Sequence, residues 1–182
     1  MSRKQVLIKG TIILTLTGFA TRFMGFFYRI FLSHTFGEEG VGIYQLIFPI
    51  YAMGFSLTSA GIELALSRST AYYIAKNEKH KAAELLLTAL LITEALSIIA
   101  MLLIQRYAGF LAVSALHEPR CEKLLMILSY VFPFSALHSS ICGYYLGMKK
   151  TKIPSVSQLI EQITRIGSVW LCLLYTSPSP RD

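Results

Sequence analysis

Residues 85–104 read LLLTALLITEALSIIAMLLI, a stretch of twenty residues that is almost wholly apolar. A helix of this length, at about 1.5 Å per residue, crosses the roughly 30 Å hydrocarbon core of a bilayer. An amphipathic helix of a soluble bundle would instead keep one broad polar face. The stretch therefore predicts a transmembrane helix.

The remainder of the chain has the same character. Of its 182 residues, 54% are hydrophobic and 15% are charged, whereas soluble domains carry roughly 25% charged residues. Four further apolar segments of spanning length occur, at 10–33, 41–69, 124–148 and 155–175. The sequence thus predicts an all-α, polytopic membrane helix bundle of about five transmembrane helices, occupying residues 1–171.

Glycines and prolines mark the expected breaks. Gly37 and Gly40 flank two acidic residues between the first two spans, which predicts a polar loop over 34–40. Pro49 and Pro133 fall inside the second and fourth spans. Neighbouring helices can satisfy the carbonyls that proline frees, so we expect kinks at these positions and continuous spans.

The net charge of +7 is concentrated between the apolar segments, a pattern typical of membrane topology and unlike a nucleic-acid-binding surface. The loops that share a side with the N-terminus carry three, four and three basic residues: Arg3, Lys4 and Lys9; Arg68, Lys76, Lys79 and Lys81; Lys149, Lys150 and Lys152. The opposite loops carry Arg106 and Arg120. The positive-inside rule therefore predicts a cytoplasmic membrane protein with a cytoplasmic N-terminus.

Catalytic and cofactor signatures are missing from the sequence. The three cysteines are scattered, and no nucleotide-binding, nucleophile or metal-ligand motif occurs, which predicts a protein that is neither an enzyme nor a cofactor carrier. The last residues, LYTSPSPRD at 174–182, resemble a run that adaptor read-through leaves at the ends of metagenomic reading frames. We expect residues 172–182 to be a non-native or truncated tail.

Charged residues inside the apolar segments are the candidates for function. Arg22 and Arg29 are seven residues apart in the first span, so they project from one helix face. A charge at the bilayer centre costs roughly 2.5–3.5 kcal/mol on insertion scales. This cost predicts that the arginine face meets water, a partner or an anionic ligand such as a phosphate.

The fifth span has a second polar face, formed by Gln158, Glu161, Gln162 and Arg165 at i, i+3, i+4 and i+7. Glu161 and Arg165 could simply form an ion pair that helps the helix to insert, but such a pair leaves the two glutamines unexplained. A polar cavity wall explains all four residues. Glu63, near the inner end of the second span, has three possible roles: pairing with an inward arginine, carrying a proton, or snorkelling to the cytoplasmic surface.

Three blocks of the first two spans, together with a fourth in the fifth span, carry a family resemblance: 18–29 (GFATRFMGFFYR), 36–49 (FGEEGVGIYQLIFP), 59–67 (SAGIELALS) and 157–165 (SQLIEQITR). They resemble the stage V sporulation protein B and polysaccharide-exporter branch of the multidrug/oligosaccharidyl-lipid/polysaccharide flippase superfamily. Related lipid II flippases share an arginine like Arg22, whereas their second arginine falls where this chain has Tyr28.

The resemblance implies a fold of about fourteen helices in two lobes, of which this chain supplies most of the N-terminal lobe. It implies a flippase that moves a lipid-linked, pyrophosphate-bearing glycan precursor by alternating access, with a coupling cation or proton and membrane lipids as further partners. The substrate-site candidates are Arg22, Arg29, Arg165, Glu161, Gln158 and Glu63. Two alternatives stay open: a cation-coupled multidrug exporter of the same superfamily, and a non-transporting membrane scaffold.

Overall fold

A computed structural model describes residues 3–176 of the chain, so most of the tail segment 172–182 lies outside the described residues. The described residues form six helices, with π-helical turns at Ser56–Ala60 and Leu111–Ala115. The helices are α1 (Arg3–Phe55), α2 (Gly61–Ala75), α3 (Lys79–Phe110), α4 (Cys121–Ser129), α5 (Val131–Gly147) and α6 (Lys152–Thr176). They fall into two compact units, one made of α1 up to Thr35 with α6, the other of Phe36–Lys150.

The break predicted over 34–40 is confirmed at Gly37, where two helical segments of α1 meet at a kink, although the residues on either side of Gly37 are helical. Gly37 has φ 71° and ψ 173°, a conformation outside the helical region that glycine adopts without steric cost. Gly40, the second expected breaker, is helical. One glycine in this conformation is enough to separate two spanning segments, Ile8–His34 and Gly40–Ala75.

Three segments in the described part are long and apolar enough to cross a membrane: the two above and Lys79–Ala115. The bent pair α4 and α5 makes a fourth if it counts as one span. The pair bends by 40° between Ser129 and Val131, and Pro133 lies in the first turn of α5, where proline needs no intrahelical donor. The described residues have the architecture of an all-α polytopic membrane protein.

The third helix is longer than the sequence pattern indicates. It begins at Lys79, six residues before the apolar stretch, since Lys81 pairs with Glu78 at 2.9 Å and His80 with Glu84 at 3.2 Å along its exposed first turns. A hydropathy pattern omits such charged turns although their residues favour helix. At its other end, the helix passes into the π-helical turn Leu111–Ala115.

The unit Phe36–Lys150 is a bundle in which α2 and α5 run parallel and α3 runs against both. Side-chain contacts of α2 with α5 follow the same direction, from Glu63 with Ser139 to Thr70 with Gly147. Gly147 lets the helices approach closely, because a Cβ at this position would lie 2.6 Å from the Ser67 carbonyl oxygen. Small residues at helix contacts are the usual packing device in membranes.

Hydroxyl groups occupy much of the interior of this bundle. Thr93 of α3 and Ser140 of α5, both almost fully buried, are joined by a 3.0 Å hydrogen bond. Gln105 donates to Ser129 at 3.0 Å between α3 and the end of α4. Meanwhile the outer surface carries many exposed Leu, Ile and Phe side chains. A polar interior with an apolar exterior is the distribution expected for a protein that has lipid as its solvent.

The two ends of this bundle differ in charge. Because α2 and α5 are parallel, the loops after Ala75 and after Gly147 lie at the same end, and both are rich in lysine. The opposite end carries Arg106 and Arg120, and also Lys123 at the start of α4, which the sequence count omitted. The excess of basic residues therefore stays with the first end.

Candidate substrate-binding site

The first half of α1 presents two different faces. Phe19, Phe23 and Phe27 form a continuous apolar ridge, with ring centroids 5.3 and 6.1 Å apart and exposed fractions of 64%, 55% and 60%. Arg22 and Arg29 follow another face, together with Gly18 and Gly25, at a spacing of i, i+4, i+7 and i+11. The absence of a side chain at the two glycines leaves open space beside the arginines.

This glycine–arginine face meets α6 within one compact unit. A Cβ at Gly10 would lie 3.3 Å from the Thr151 side chain, and eight to twelve residues further on, the two helices enclose a cavity of about 360 Å³. The helices therefore run parallel. The cavity is lined by Gly18, Thr21, Arg22, Gln158, Glu161 and Gln162.

Arg22 is the cation of this cavity. Its guanidinium has no hydrogen-bond or ion-pair partner among residues 3–176, although Glu161 lines the same cavity. A guanidinium carries five N–H donors in a planar fork that matches carboxylate or phosphate oxygens. The exposed guanidinium of Arg22 therefore offers the cavity hydrogen-bond donors of the kind that suit an anion.

The glutamines add complementary groups. The side-chain oxygen of Gln162 is buried and receives no hydrogen bond from the described residues, and Gln158 lines the cavity one turn earlier. An orphan acceptor of this kind calls for a donor from a ligand or from water. The cavity thus offers donors from Arg22 and acceptors from Gln162 and Glu161, which suits a ligand that has both phosphate oxygens and hydroxyl groups.

Arg165 lies beside this cavity without lining it. Its Nη2 donates to Glu161 Oε1 at 2.7 Å, and the two side chains are about half exposed. The ion pair that the sequence left as an alternative therefore forms. It occurs together with the glutamine-lined cavity, and Glu161 belongs to both.

Arg29 and Glu63 are not brought to this cavity. Arg29 is exposed two helical turns beyond Arg22 and has no partner in the described part of the chain. Glu63 belongs to the other unit, where its Oε2 accepts a 2.8 Å hydrogen bond from Ser139 of α5. Glu63 is half-buried between helices. This arrangement differs both from snorkelling to the surface and from pairing with an arginine.

One carboxylate inside a membrane-spanning segment is not among the candidates that the sequence predicted. Glu94 lies near the middle of the Lys79–Ala115 segment, is half-buried, and has no side-chain partner in the described region. The α2–α3 hairpin places it within about three residues of the depth of Glu63. The sequence does contain a signal for this residue, because Glu94 is the single acid of the stretch 85–104.

No group of three or more His, Cys, Asp or Glu side chains able to hold a metal ion occurs in the described residues. The two cysteines whose surroundings are described, Cys121 and Cys142, are both buried and form no disulfide. The site therefore consists of guanidinium, amide and carboxylate groups.

Comparison with known proteins identifies the family of this chain. The family model for polysaccharide biosynthesis proteins matches residues 7–178, nearly the whole chain. This chain belongs to the polysaccharide biosynthesis protein family. Stage V sporulation protein B of Bacillus subtilis (strain 168) is 34% identical over 169 residues, which cover 93% of this chain and 33% of that protein.

Two other relatives from the same organism are more distant. The uncharacterized membrane protein YabM is 27% identical over 173 residues, covering 90% of this chain and 31% of its own length. The lipid II flippase MurJ is 23% identical over 171 residues, covering 88% and 31%. The chain thus spans about a third of the length of these relatives. No solved structure matches it.

Membership in this family agrees with the resemblance noted from residues 18–29, 36–49, 59–67 and 157–165. It makes the chain a multi-pass membrane protein of a family named for polysaccharide biosynthesis.

Proposed function

We propose that this chain is part of a flippase that moves a lipid-linked, pyrophosphate-bearing glycan precursor across the cytoplasmic membrane by alternating access. The N-terminus lies in the cytoplasm in this proposal, in keeping with the lysine-rich loops at one end of the bundle. The protein acts as a transporter, without a catalytic step or a cofactor.

The observation that carries the proposal is the unpaired Arg22 at the wall of a polar cavity. Its guanidinium donates to the phosphate oxygens. The side-chain amide of Gln158, on the α6 wall of the cavity, donates to the same anion. The orphan oxygen of Gln162 accepts a hydrogen bond from a sugar hydroxyl. This combination of donors and acceptors fits a glycosyl pyrophosphate better than a cationic drug, for which an arginine is repulsive.

Turnover needs a driving force that the cavity does not provide. We assign coupling to a cation, a proton or the membrane potential, with Glu63 as the candidate carboxylate, since Ser139 holds it between α2 and α5. Glu161 positions Arg165 beside the cavity. Arg29 serves the same anion at another stage of its path across the membrane.

Complementation with the complete protein that contains this chain tests the proposal. A strain lacking its lipid-linked glycan flippase receives the wild type or the Arg22→Gln, Arg22→Lys or Arg68→Gln variant. Arg68→Gln is the control, because Arg68 is exposed and belongs to the other unit. We expect Arg22→Gln to abolish growth at normal expression, Arg22→Lys to restore it in part, and Arg68→Gln to behave as wild type. Full growth of Arg22→Gln would refute the role of Arg22.

The same variants separate the proposal from its alternatives. A multidrug exporter predicts that Arg22→Gln changes drug resistance while growth of the flippase-deficient strain never depends on the protein. A membrane scaffold predicts that Arg22→Gln lowers expression or partner capture with no change in lipid movement.

A further inference from the structure

The parallel helices α2 and α5 end in the same way. Each carries two consecutive tyrosines in its last turns, Tyr72–Tyr73 in α2 and Tyr144–Tyr145 in α5, whose rings meet edge to face at 5.5 and 5.7 Å. Each helix then closes on a residue of positive φ, Asn77 at 63° and Lys149 at 61°. Corresponding hydrogen bonds run from the Glu78 N–H to the Tyr73 carbonyl and from the Lys150 N–H to the Tyr145 carbonyl.

The two endings are neighbours in the bundle. A Cβ at Gly147 would lie 2.6 Å from Cβ of Thr70, so the last turn of α5 packs directly against the second half of α2. Lys149 and Lys150 therefore leave α5 beside the turn of α2 that carries Tyr72 and Lys76. We call this surface the tyrosine–lysine end, comprising Tyr72, Tyr73, Lys76, Lys79, Tyr144, Tyr145, Lys149 and Lys150.

The charges of the tyrosine–lysine end are largely unneutralised. Its four lysines are exposed and have no carboxylate partner among the described residues. The nearby acids are already engaged, Glu78 with Lys81 and Glu84 with His80. Lys76 Nζ lies 4.4 Å from the ring centroid of Tyr72. The four exposed cations are therefore available to an external anion.

The tyrosines indicate where that anion is found. Tyrosine is enriched at the boundary between hydrocarbon and headgroups, where its ring is in apolar surroundings and its hydroxyl group meets water. Tyr72 is 54% exposed on the outer surface of a segment long enough to span a membrane. The lysines one turn beyond it therefore lie at the level of the lipid phosphates. Clusters of four or more basic residues beside a spanning helix are typical of anionic-lipid binding.

We propose that the tyrosine–lysine end binds the phosphate headgroup of an anionic phospholipid in the adjoining leaflet. The lysines of both helix endings contact the phosphate, and the tyrosine hydroxyls donate to the same headgroup. A single lipid held in this way links the endings of α2 and α5 without occupying the cavity beside Arg22. The site is independent of the proposed glycan substrate.

The test compares lipids on the purified protein in a neutral detergent. Dioleoylphosphatidylglycerol or dioleoylphosphatidylcholine is titrated in, and the thermal unfolding midpoint gives an apparent dissociation constant. The variant is Lys149→Gln/Lys150→Gln. The matched control is Arg106→Gln/Lys123→Gln, which removes two exposed cations from the opposite end of the bundle. The midpoint without added lipid reports whether each variant folds.

We expect phosphatidylglycerol to raise the midpoint more than phosphatidylcholine. Lysines near a membrane surface contribute about 1 kcal/mol each, so the Lys149/Lys150 variant should bind phosphatidylglycerol roughly tenfold or more weakly. The control should keep wild-type affinity. Equal responses to the two lipids, or equal losses in the two double variants, would show that only overall charge acts and would overturn the proposal.

Discussion

Arg165 and Glu161 are joined by a 2.7 Å hydrogen bond on one face of α6, whereas Arg22, which lines a cavity together with Glu161, has no partner in the described residues. The carboxylate thus holds one arginine and leaves the other available. This difference is the reason we propose an anion-binding role for Arg22 and a positioning role for Glu161.

The ion pair should contribute little to stability. Both side chains are about half exposed, and i,i+4 pairs of this kind are worth about 0.3–0.5 kcal/mol. A double-mutant cycle with Glu161→Gln and Arg165→Gln, followed by denaturant unfolding in micelles, should therefore give a coupling energy below about 1 kcal/mol. A coupling of several kcal/mol would mean that the pair is a buried structural element, contrary to its role beside the cavity.

The close approach of α2 and α5 should be sensitive to a single methyl group. Gly147→Ala places a Cβ 2.6 Å from the Ser67 carbonyl oxygen and from Cβ of Thr70, so the helices must separate. Overpacking of this kind costs about 1–3 kcal/mol. Thermal unfolding should show a clearly lower midpoint for Gly147→Ala.

Gly61→Ala is the matched control for this prediction. Gly61 is also helical and in the same unit, but nothing lies within 4 Å of a Cβ placed there. Alanine favours helix over glycine by about 1 kcal/mol, so this variant should be neutral or more stable. Equal midpoints for the two variants would contradict the packing described.

Ser139 should stabilise the bundle through Glu63. Ser139→Ala leaves a half-buried carboxylate without its 2.8 Å hydrogen bond, which should cost about 1–3 kcal/mol. In the Glu63→Gln background the same change should cost less, because the charge is gone. Ser114→Ala, at an exposed serine, is the control. Unfolding midpoints are measured for the wild type and the four variants, and an equal loss in both backgrounds would exclude the interaction.

Asn77 should respond to substitution according to its backbone conformation. Its φ of 63° suits glycine, tolerates asparagine and penalises β-branched residues by roughly 1–2 kcal/mol. Asn77→Gly should leave the unfolding midpoint unchanged or raise it, and Asn77→Val should lower it. A lower midpoint for glycine than for valine would show that the α2–α3 turn has another conformation.

Much of this arrangement follows from local patterns. Apolar length predicted membrane-spanning helices, and helical spacing placed Gln158, Glu161 and Gln162 on one face. The glycines at 37 and 40 look equivalent in sequence, yet only Gly37 interrupts the helix. The hydropathy pattern does not include the charged first turns of α3, so it does not predict that the helix begins at Lys79.

Local patterns of this kind do not predict long-range contacts. The pairing of α1 with α6 joins residues about 140 positions apart, so no periodicity shows that Arg22 meets Gln158. The same holds for Glu63 with Ser139, 76 positions apart, and for Thr93 with Ser140. Periodicity placed Arg22 and Arg29 on one face, but only the packing of α6 separates the arginine that lines the cavity from the one that does not.

The most direct test of the central claim is equilibrium binding of undecaprenyl pyrophosphate to the purified complete protein and to its Arg22→Gln and Arg29→Gln variants. A lost charge-assisted hydrogen bond costs about 1.5–3 kcal/mol, so Arg22→Gln should weaken binding at least tenfold. Arg29→Gln should bind within about threefold of the wild type, because Arg29 does not line the cavity. Wild-type affinity in Arg22→Gln, or a larger loss in Arg29→Gln, would contradict the account.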